Sequence, residues 1–588
     1  MASEFKPTEN ASKILAIFAI IFFSFIIFLS GITEVATSST HTYNYLRKIE
    51  DTSLRGTIYS RDGRVISRSF HQYELAVNGR DIDPAHYEAF SRLLSIYTDL
   101  DENEILKQIQ KKQRVVLMDE MNEAMAEDLR NLSRRMDSLG FFKGFYRQGR
   151  EIRRGLDIVK REERFREYPF DTLLEPVIGH FDRNKNVGNT GVEKEYEHVL
   201  KAGKEGTTRA NRDVVGNLIL NSAALRERRT DGSDIILTVH SVLQKDVEAL
   251  IDRYQRELES EEVMAVIMDS RNGEIYAIAS SNRFNPEHIS PEEIDYMRIG
   301  VIQHLFEPGS VIKPFVIAKL LEEKLVGVYD LVQGHNGRYR LGRKVITDSH
   351  PKAWFSVEEA VYHSSNIAMA QLAQGLTPYR FNEMMEDFGF AERSGIDLPY
   401  EQLGRLPNIS QLKDPLIRGT ASYGYGFSVN LLQLVKAFNV FNNEGKMVEP
   451  KLARKVAVGR SKILDITNKE RAVLSAVTAR KMLAILRKTV TKGTAVRGQV
   501  EGVFTAGKTG TAHVAKEGQY EDIYHSSFLG FANEEDGERR FTIGILVTNP
   551  KTDYFASKTA VPIFKECVEV LKRRGWIREK EAKPQQSE

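Results

Sequence analysis

Apolar positions along this chain follow three different patterns. From Ile14 to Ile32 the sequence "ILAIFAIIFFSFIIFLSGI" runs for nineteen residues without a charge. About 20 apolar residues cross the roughly 30 Å of a bilayer's hydrocarbon, so this run predicts one membrane-spanning helix at 14–32. The apolar region of a cleaved signal peptide is shorter, about 7–15 residues. Lys6 and Lys13 lie before the run, and Arg47-Lys48 is the first basic pair after it. Counted by Lys and Arg, that predicts a cytoplasmic tail at 1–13 and export of the remainder.

Residues 42–235 are charged and irregular, as in "QGREIRRGLDIVKREERFREYP" and "GNTGVEKEYEHVLKAGKEGTT", and contain no internal repeat. They predict an elongated module of short strands with long connections. The turn-forming "RRTDGSD", Arg228 to Asp234, marks its end. Residues 236–577 are better patterned. Two apolar runs, Val263–Met268 and Ile275–Ala279, flank a polar turn and predict a β-hairpin. "HSSFLGFA" and "RFTIGILVTN", separated by Asn533 to Glu538, predict another. After them Val561, Phe564, Val568 and Leu571 recur at helical spacing, and Lys572-Arg573-Arg574 closes that helix favourably for its dipole. The chain between about 300 and 490 is largely helix-compatible. Strands at both ends with helices between them predict an α+β domain, an antiparallel sheet covered by helices. Residues 578–588 read as a disordered tail.

Composition narrows the functional classes. The 588 residues carry 83 basic and 81 acidic side chains, a net charge of +2, without the basic excess of a nucleic-acid-binding protein. The one cysteine, Cys567, excludes an intrachain disulfide.

Candidate chemistry begins at "GVFTAGKTGTA", Gly502 to Ala512, which fits the phosphate-loop pattern through Gly502, Gly507, Lys508 and Thr509. A phosphate loop needs a helix next. Here Gly510 lies between the β-branched Thr509 and Thr511, and Gly518 follows, so a helix is disfavoured. An exported domain would also find little nucleotide. The same letters contain Lys508-Thr509-Gly510, one element of the S-x-x-K, S-x-N, K-T-G set of serine acyl-transferring enzymes. In "FEPGSVIKPF", Pro308-Gly309 breaks the chain before Ser310, and Pro314 is tolerated only in a first helical turn. Ser310 and Lys313 then lie three apart on one helical face. Ser364-Ser365-Asn366 precedes an amphipathic run and supplies a hydroxyl and an amide two residues apart. Ser349-His350-Pro351-Lys352 and Ser410-Gln411-Leu412-Lys413 also fit S-x-x-K, but a proline interrupts the first and the second reads as a loop. Ser280-Ser281-Asn282 fits S-x-N but precedes Ser310 and leads into a loop.

On these motifs the chain resembles the class B penicillin-binding proteins, membrane-anchored transpeptidases that cross-link peptidoglycan. "LRGTIYSRDG" (Leu54–Gly63) is similar to the family's N-terminal motif, with Ser60 where the family usually has Asp. "REYP" (Arg166–Pro169) and "GNTGVEKEYEHVL" match later motifs of its pedestal, or dimerisation-type, domain, and "SYGYGFSVNLLQL" (Ser422–Leu434) matches the stretch before K-T-G. E-P-G-S-x-x-K, S-S-N and K-T-G-T-A look like the division-specific branch more than the elongation branch. The resemblance implies a pedestal at 42–235 and a transpeptidase domain at 236–577, held at the inner membrane with the catalytic domain in the periplasm. It implies Ser310 as nucleophile, Lys313 as its base, and Ser364 and Lys508 as the proton relay. It places Asn366, Thr509, Gly510 and Thr511 against the substrate, and requires no metal or cofactor. It further implies D-Ala-D-Ala stem peptides as substrate, β-lactams as inhibitors, and a SEDS-type glycosyltransferase with other divisome membrane proteins as partners. The alternatives are an elongation-type class B transpeptidase and, from another class, a role chiefly as divisome scaffold activating a glycan polymerase.

Overall fold

The computed structural model describes residues 11–37, 47–147, 150–161, 165–212, 218–219, 224–458, 462–467, 469–516, 519–535 and 537–578. Most of the segments predicted as tails, 1–13 and 578–588, lie outside them. Helix α1, Ala11–Thr37, contains a span from Ser12 to Glu34 with mean hydropathy 2.8. It is long and apolar enough to cross a membrane, and it extends beyond the predicted run at both ends. Its large side chains, Ile14 through Ile32, all stand exposed to the surroundings.

The next part is more helical than its sequence suggested. Helices α2 (Tyr87–Thr98), α3 (Glu102–Gln110) and α4 (Glu123–Ser138) pack on a three-stranded sheet of Tyr73–Asn78, Arg114–Met121 and Asp157–Lys160. Phe90, Leu94, Ile105, Ile109, Leu129 and Met136 share one core with Leu75 and Val77. The expectation of short strands with long connections is corrected here. In α4 the apolar stripe Ala126, Leu129, Leu132, Met136 has helical spacing but sits among many charges. The starts are also signalled: Asp101 and Asn122 accept backbone N–H groups as N-caps of α3 and α4.

The predicted α+β domain is present. Helix α5 (Ser241–Leu258) precedes β1 (Glu262–Asp269) and β2 (Ile275–Ser280). Helices α6 (Lys313–Glu322), α7 (Asn366–Leu372), α8 (Leu431–Asn442) and α9 (Ala476–Thr491) follow. Strands β3 (Phe504–Lys516), β4 (Gln519–Asn533) and β5 (Arg540–Thr548) and helix α10 (Ala560–Arg573) complete it. The five strands form one antiparallel sheet in the order β2-β1-β5-β4-β3, which leaves β3 on an edge. Successive residues of β1 face opposite sides. Val263, Ala265 and Ile267 join the core under α5 and α10, and Met264, Val266 and Met268 join the core under α6 and α8. Both faces are covered, which explains why the strand reads as an unbroken apolar run.

A second sheet binds the two parts together. It runs Lys462–Asp465, Ala453–Val458, Asp234–Leu237, Ile58–Tyr59, Val65–Phe70, Phe165–Glu167. Strand Asp234–Leu237, where the sequence suggested a boundary, pairs with Ile58–Tyr59 on one side and Ala453–Val458 on the other. Beneath it the Glu193 carboxylate, fully buried, meets Arg55 Nε at 2.7 Å and Arg166 Nη2 at 2.7 Å. Arg166 also donates from Nη1 to Gly56 O at 2.6 Å. The three stretches "LRGTIYSRDG", "REYP" and "GNTGVEKEYEHVL" thus converge on one ion triad.

Candidate active site

Ser310 lies in a 3-10 turn, Gly309–Ile312, that runs directly into α6 with Pro314 in its first turn. The turn is wedged between two backbones. Gly309 has φ +60°, and a Cβ there would stand 3.1 Å from Thr511 O of β3. On the other side the Gly309 N–H donates to Gly424 O at 3.1 Å. A Cβ on Gly510 would lie 3.0 Å from Pro308 O and 2.9 Å from Val311 Cγ1. Glycine at these positions lets the serine turn touch the edge strand.

Lys313 Nζ donates to Ser364 O at 2.6 Å, Ser364 Oγ at 3.0 Å and Asn366 Oδ1 at 2.8 Å. Lys508 Nζ, projecting from β3, donates to the same Ser364 Oγ at 3.0 Å and to Thr509 O at 3.0 Å. Both lysine side chains are fully buried. Burial pulls the Lys313 ammonium down from its usual range to about 7, with only Asp348 opposing. Burial and the positive charge of Lys313 hold Lys508 well below its usual range. Two ammonium groups on either side of one hydroxyl disfavour double protonation. Ser364 adopts φ +60°, a strained conformation for a non-glycine residue of the kind found at functional sites.

Lys508 stands in the middle of β3, followed by strand and not by helix, which removes the phosphate-loop reading. The competing S-x-x-K and S-x-N matches stand in other settings. Lys352 binds Glu359 at 3.1 Å. Ser410 sits in a short helix, Ile409–Leu412, and not in the expected loop. Ser280 Oγ donates to Glu262 Oε1 at 2.6 Å.

Residues 263–569 match the family model of the penicillin binding protein transpeptidase domain, and residues 50–237 that of the penicillin-binding protein dimerisation domain. The chain belongs to the class B penicillin-binding proteins. Over 437 residues it is 29% identical to the penicillin-binding protein PbpB of Mycolicibacterium smegmatis, covering 71% of this chain and 66% of that one. It thus spans about two thirds of the length of that relative. The probable peptidoglycan D,D-transpeptidase PenA of Neisseria gonorrhoeae is 26% identical over 546 residues, covering 90% of this chain and 87% of that one. The fold matches the crystal structure of penicillin binding protein 3 from Mycobacterium tuberculosis complexed with aztreonam. The TM-score is 0.66 at 21% identity, over 90% of this chain and 98% of that one.

Three supports of this penicillin-binding protein's site escaped the sequence reading. The Asp348 carboxylate accepts the N–H groups of Asn366 at 2.6 Å and Ile367 at 3.2 Å, and also the Ser365 hydroxyl. It therefore fixes the start of α7, where a carboxylate meets the positive end of a helix. The Thr494 and Thr509 hydroxyls are 2.8 Å apart, steadying the residue whose carbonyl receives Lys508. Gly424 has φ +93°, and a Cβ there would lie 2.0 Å from Gly309 O. Only the glycine signal was available from the sequence, as part of "SYGYGFS". Gly424→Ala is therefore expected to lower the melting temperature, with about 1–3 kcal/mol of backbone strain. It should also displace the turn that carries Ser310, and stopped-flow with a chromogenic cephalosporin would measure whether acylation slows with it.

Proposed function

We propose that this protein is a membrane-anchored peptidoglycan D,D-transpeptidase of the division septum that works through an acyl-enzyme on Ser310. The observation that carries the reading is the pair of buried lysines sharing the Ser364 hydroxyl, one of them three residues after Ser310. Ser310 Oγ attacks the carbonyl carbon between the two terminal D-alanines, and its proton passes to Lys313 Nζ. A lysine whose ammonium is pulled to about 7 is largely able to accept it at neutral pH. The C–N bond breaks as Ser364, held by both lysines, passes its proton to the departing D-alanine amine and regains one from the protonated Lys313. An amine of a neighbouring stem peptide then attacks the ester and Ser310 recovers its proton. Asn366, whose Oδ1 holds Lys313, offers its Nδ2 to the donor backbone.

The donor's terminal carboxylate lies at Lys508 and Thr511. Thr511 Oγ1 already accepts the Ala556 N–H at 3.3 Å, which leaves its own O–H to donate. Thr509 steadies Lys508, and Gly510 admits the substrate backbone beside the edge strand. The N–H groups of Ser310 and Thr511 form the oxyanion hole. β-Lactams acylate the same serine. Helix α1 holds the protein in the inner membrane with the transpeptidase domain in the periplasm. The pedestal, 42–235, and the anchor receive a SEDS-type glycosyltransferase and other divisome membrane proteins, and the catalytic part extends from 236 to 577.

The test is incubation of the purified protein with a stem pentapeptide and an amine acceptor. D-alanine release, a cross-linked product and an ester mapped to Ser310 are expected, and an ester on another residue would refute the assignment. The pH profile gives a sharper check. Lys313 must be neutral, so acylation by a penicillin is expected to fall about tenfold per unit below about 7 and to level off above it. A rate independent of pH between 5 and 7 would exclude Lys313 as the base.

A further inference from the structure

Residues 331–347, "LVQGHNGRYRLGRKVIT", contain Arg338, Arg340, Arg343 and Lys344 and no acidic residue, in a chain whose net charge is only +2. Strands Arg338–Leu341 and Lys344–Thr347 form an antiparallel hairpin that pairs Arg338 with Thr347, Tyr339 with Ile346 and Arg340 with Val345. Opposed residues share a face. Tyr339 and Ile346 turn inward onto Ile367, Ala370 and Tyr423. Arg338 and Arg340 therefore stand on the outer face, and both are exposed, as are Arg343 and Lys344 near the tip. None of the four has a carboxylate partner among the described residues.

Exposed cations also serve simply to guard strand edges against aggregation. This hairpin differs in where it is rooted. Its second strand ends at Thr347, whose carbonyl accepts Asn366 Nδ2 at 3.3 Å, and the next residue, Asp348, caps α7. Arg338 lies directly across from Thr347, about 5 Å between Cα atoms, and Arg340 about 7 Å further along the strand. The hairpin is thus tied at its root to Asn366, and its outer face carries two guanidinium groups with no carboxylate partner among the described residues.

We propose that the outer face of the hairpin 338–347 binds a free carboxylate of the stem peptide held in the cleft, with Arg338 and Arg340 as the contacting residues. This inference rests on the transpeptidase reading. It makes the hairpin a specificity element that favours stem peptides with a free side carboxylate over the same peptides amidated there. Arg supplies two parallel donors to a carboxylate and keeps its charge at every working pH.

The full-length protein and its Arg338→Gln/Arg340→Gln variant are compared for D-alanine release from two stem pentapeptides. One has a free carboxylate on its glutamate and the other is amidated at that position. For the acidic peptide KM is expected to rise about three- to tenfold in the variant with kcat unchanged, in line with two exposed ion pairs. The amidated peptide should show no change, and high salt should erase the wild-type preference. Acylation of Ser310 by a fluorescent penicillin should be equal in the two proteins, which establishes that the variant is folded. Equal changes for both peptides, or none for either, would overturn the proposal and leave the hairpin to solvent or to an acidic partner protein. Failure of the wild type to be acylated at all would instead remove the transpeptidase reading.

Discussion

On the proposed mechanism, Ser310→Ala is expected to abolish covalent labelling by a fluorescent penicillin and to lower stem-peptide turnover on the order of 10⁴-fold or more, since the proposed nucleophile is removed. The protein should stay folded. Ser310 is only half-buried, and its replacement leaves the 3-10 turn, the Gly309–Gly424 hydrogen bond and the lysine pair in place. Circular dichroism and an unchanged melting temperature would verify this. The structure also says where residual labelling must not appear. Near Ser349, Lys352 is held by Glu359 and lies over the Phe355 ring at 5.6 Å. Ser410 is the second residue of a capped helix. A penicilloyl ester on either serine in the variant would refute the assignment of the nucleophile. In cells, division sustained by Ser310→Ala alone would show that the scaffold role outweighs the chemistry.

Glu193→Ala is expected to destabilise the pedestal beneath the shared sheet by about 3–5 kcal/mol, the cost of removing one partner from a buried ion group. Burial opposes the Glu193 charge, but Arg166 and Arg55 more than offset it, so its carboxyl titrates below the usual 4.5. A depressed carboxylate contributes its full stability above that value and loses it only as pH falls further. The deficit should therefore be complete at neutral pH and shrink in acid. Without Glu193, Arg166, 1% exposed, loses its carboxylate, and Arg55, 6% exposed, keeps Glu197 at 2.7 Å. Urea midpoints at pH 7 and pH 4 measure both effects. A loss under 1 kcal/mol at pH 7 would mean that the triad adds little. Glu193→Gln keeps the shape and should lose less.

Local periodicity carried the sequence reading where each element's burial was complete. β1, β2, β4, β5 and α10 were legible because both sheet faces are covered and the helix has one apolar stripe. The reading failed at α2, α3 and α4, where few apolar positions per turn sit among charges and caps were the stronger signal. The sequence offered a turn near residue 235 as a boundary. That the following strand is shared by both parts was not visible there, because its partners are at 58–59 and 453–458.

By itself the sequence determined the order of the candidate motifs: Ser310 with Lys313, Ser364 with Asn366, and Lys508 before two threonines. It also determined the membrane-length helix and the α+β pattern, since both rest on spacing within a short window. Only the tertiary structure decided that Lys313 and Lys508, on separate elements, enclose one hydroxyl, a contact that spans 144 residues between Ser364 and Lys508. It alone lowers the pKa of both ammonium groups, because an ammonium is penalised by the depth at which folding buries it and not by its neighbours in sequence. Asp348 beneath Asn366 and Gly424 against Gly309 belong to the same class. Each acts across a gap in sequence that no local pattern spans, through a hydrogen bond or a missing Cβ that exists only once the chain has closed on itself.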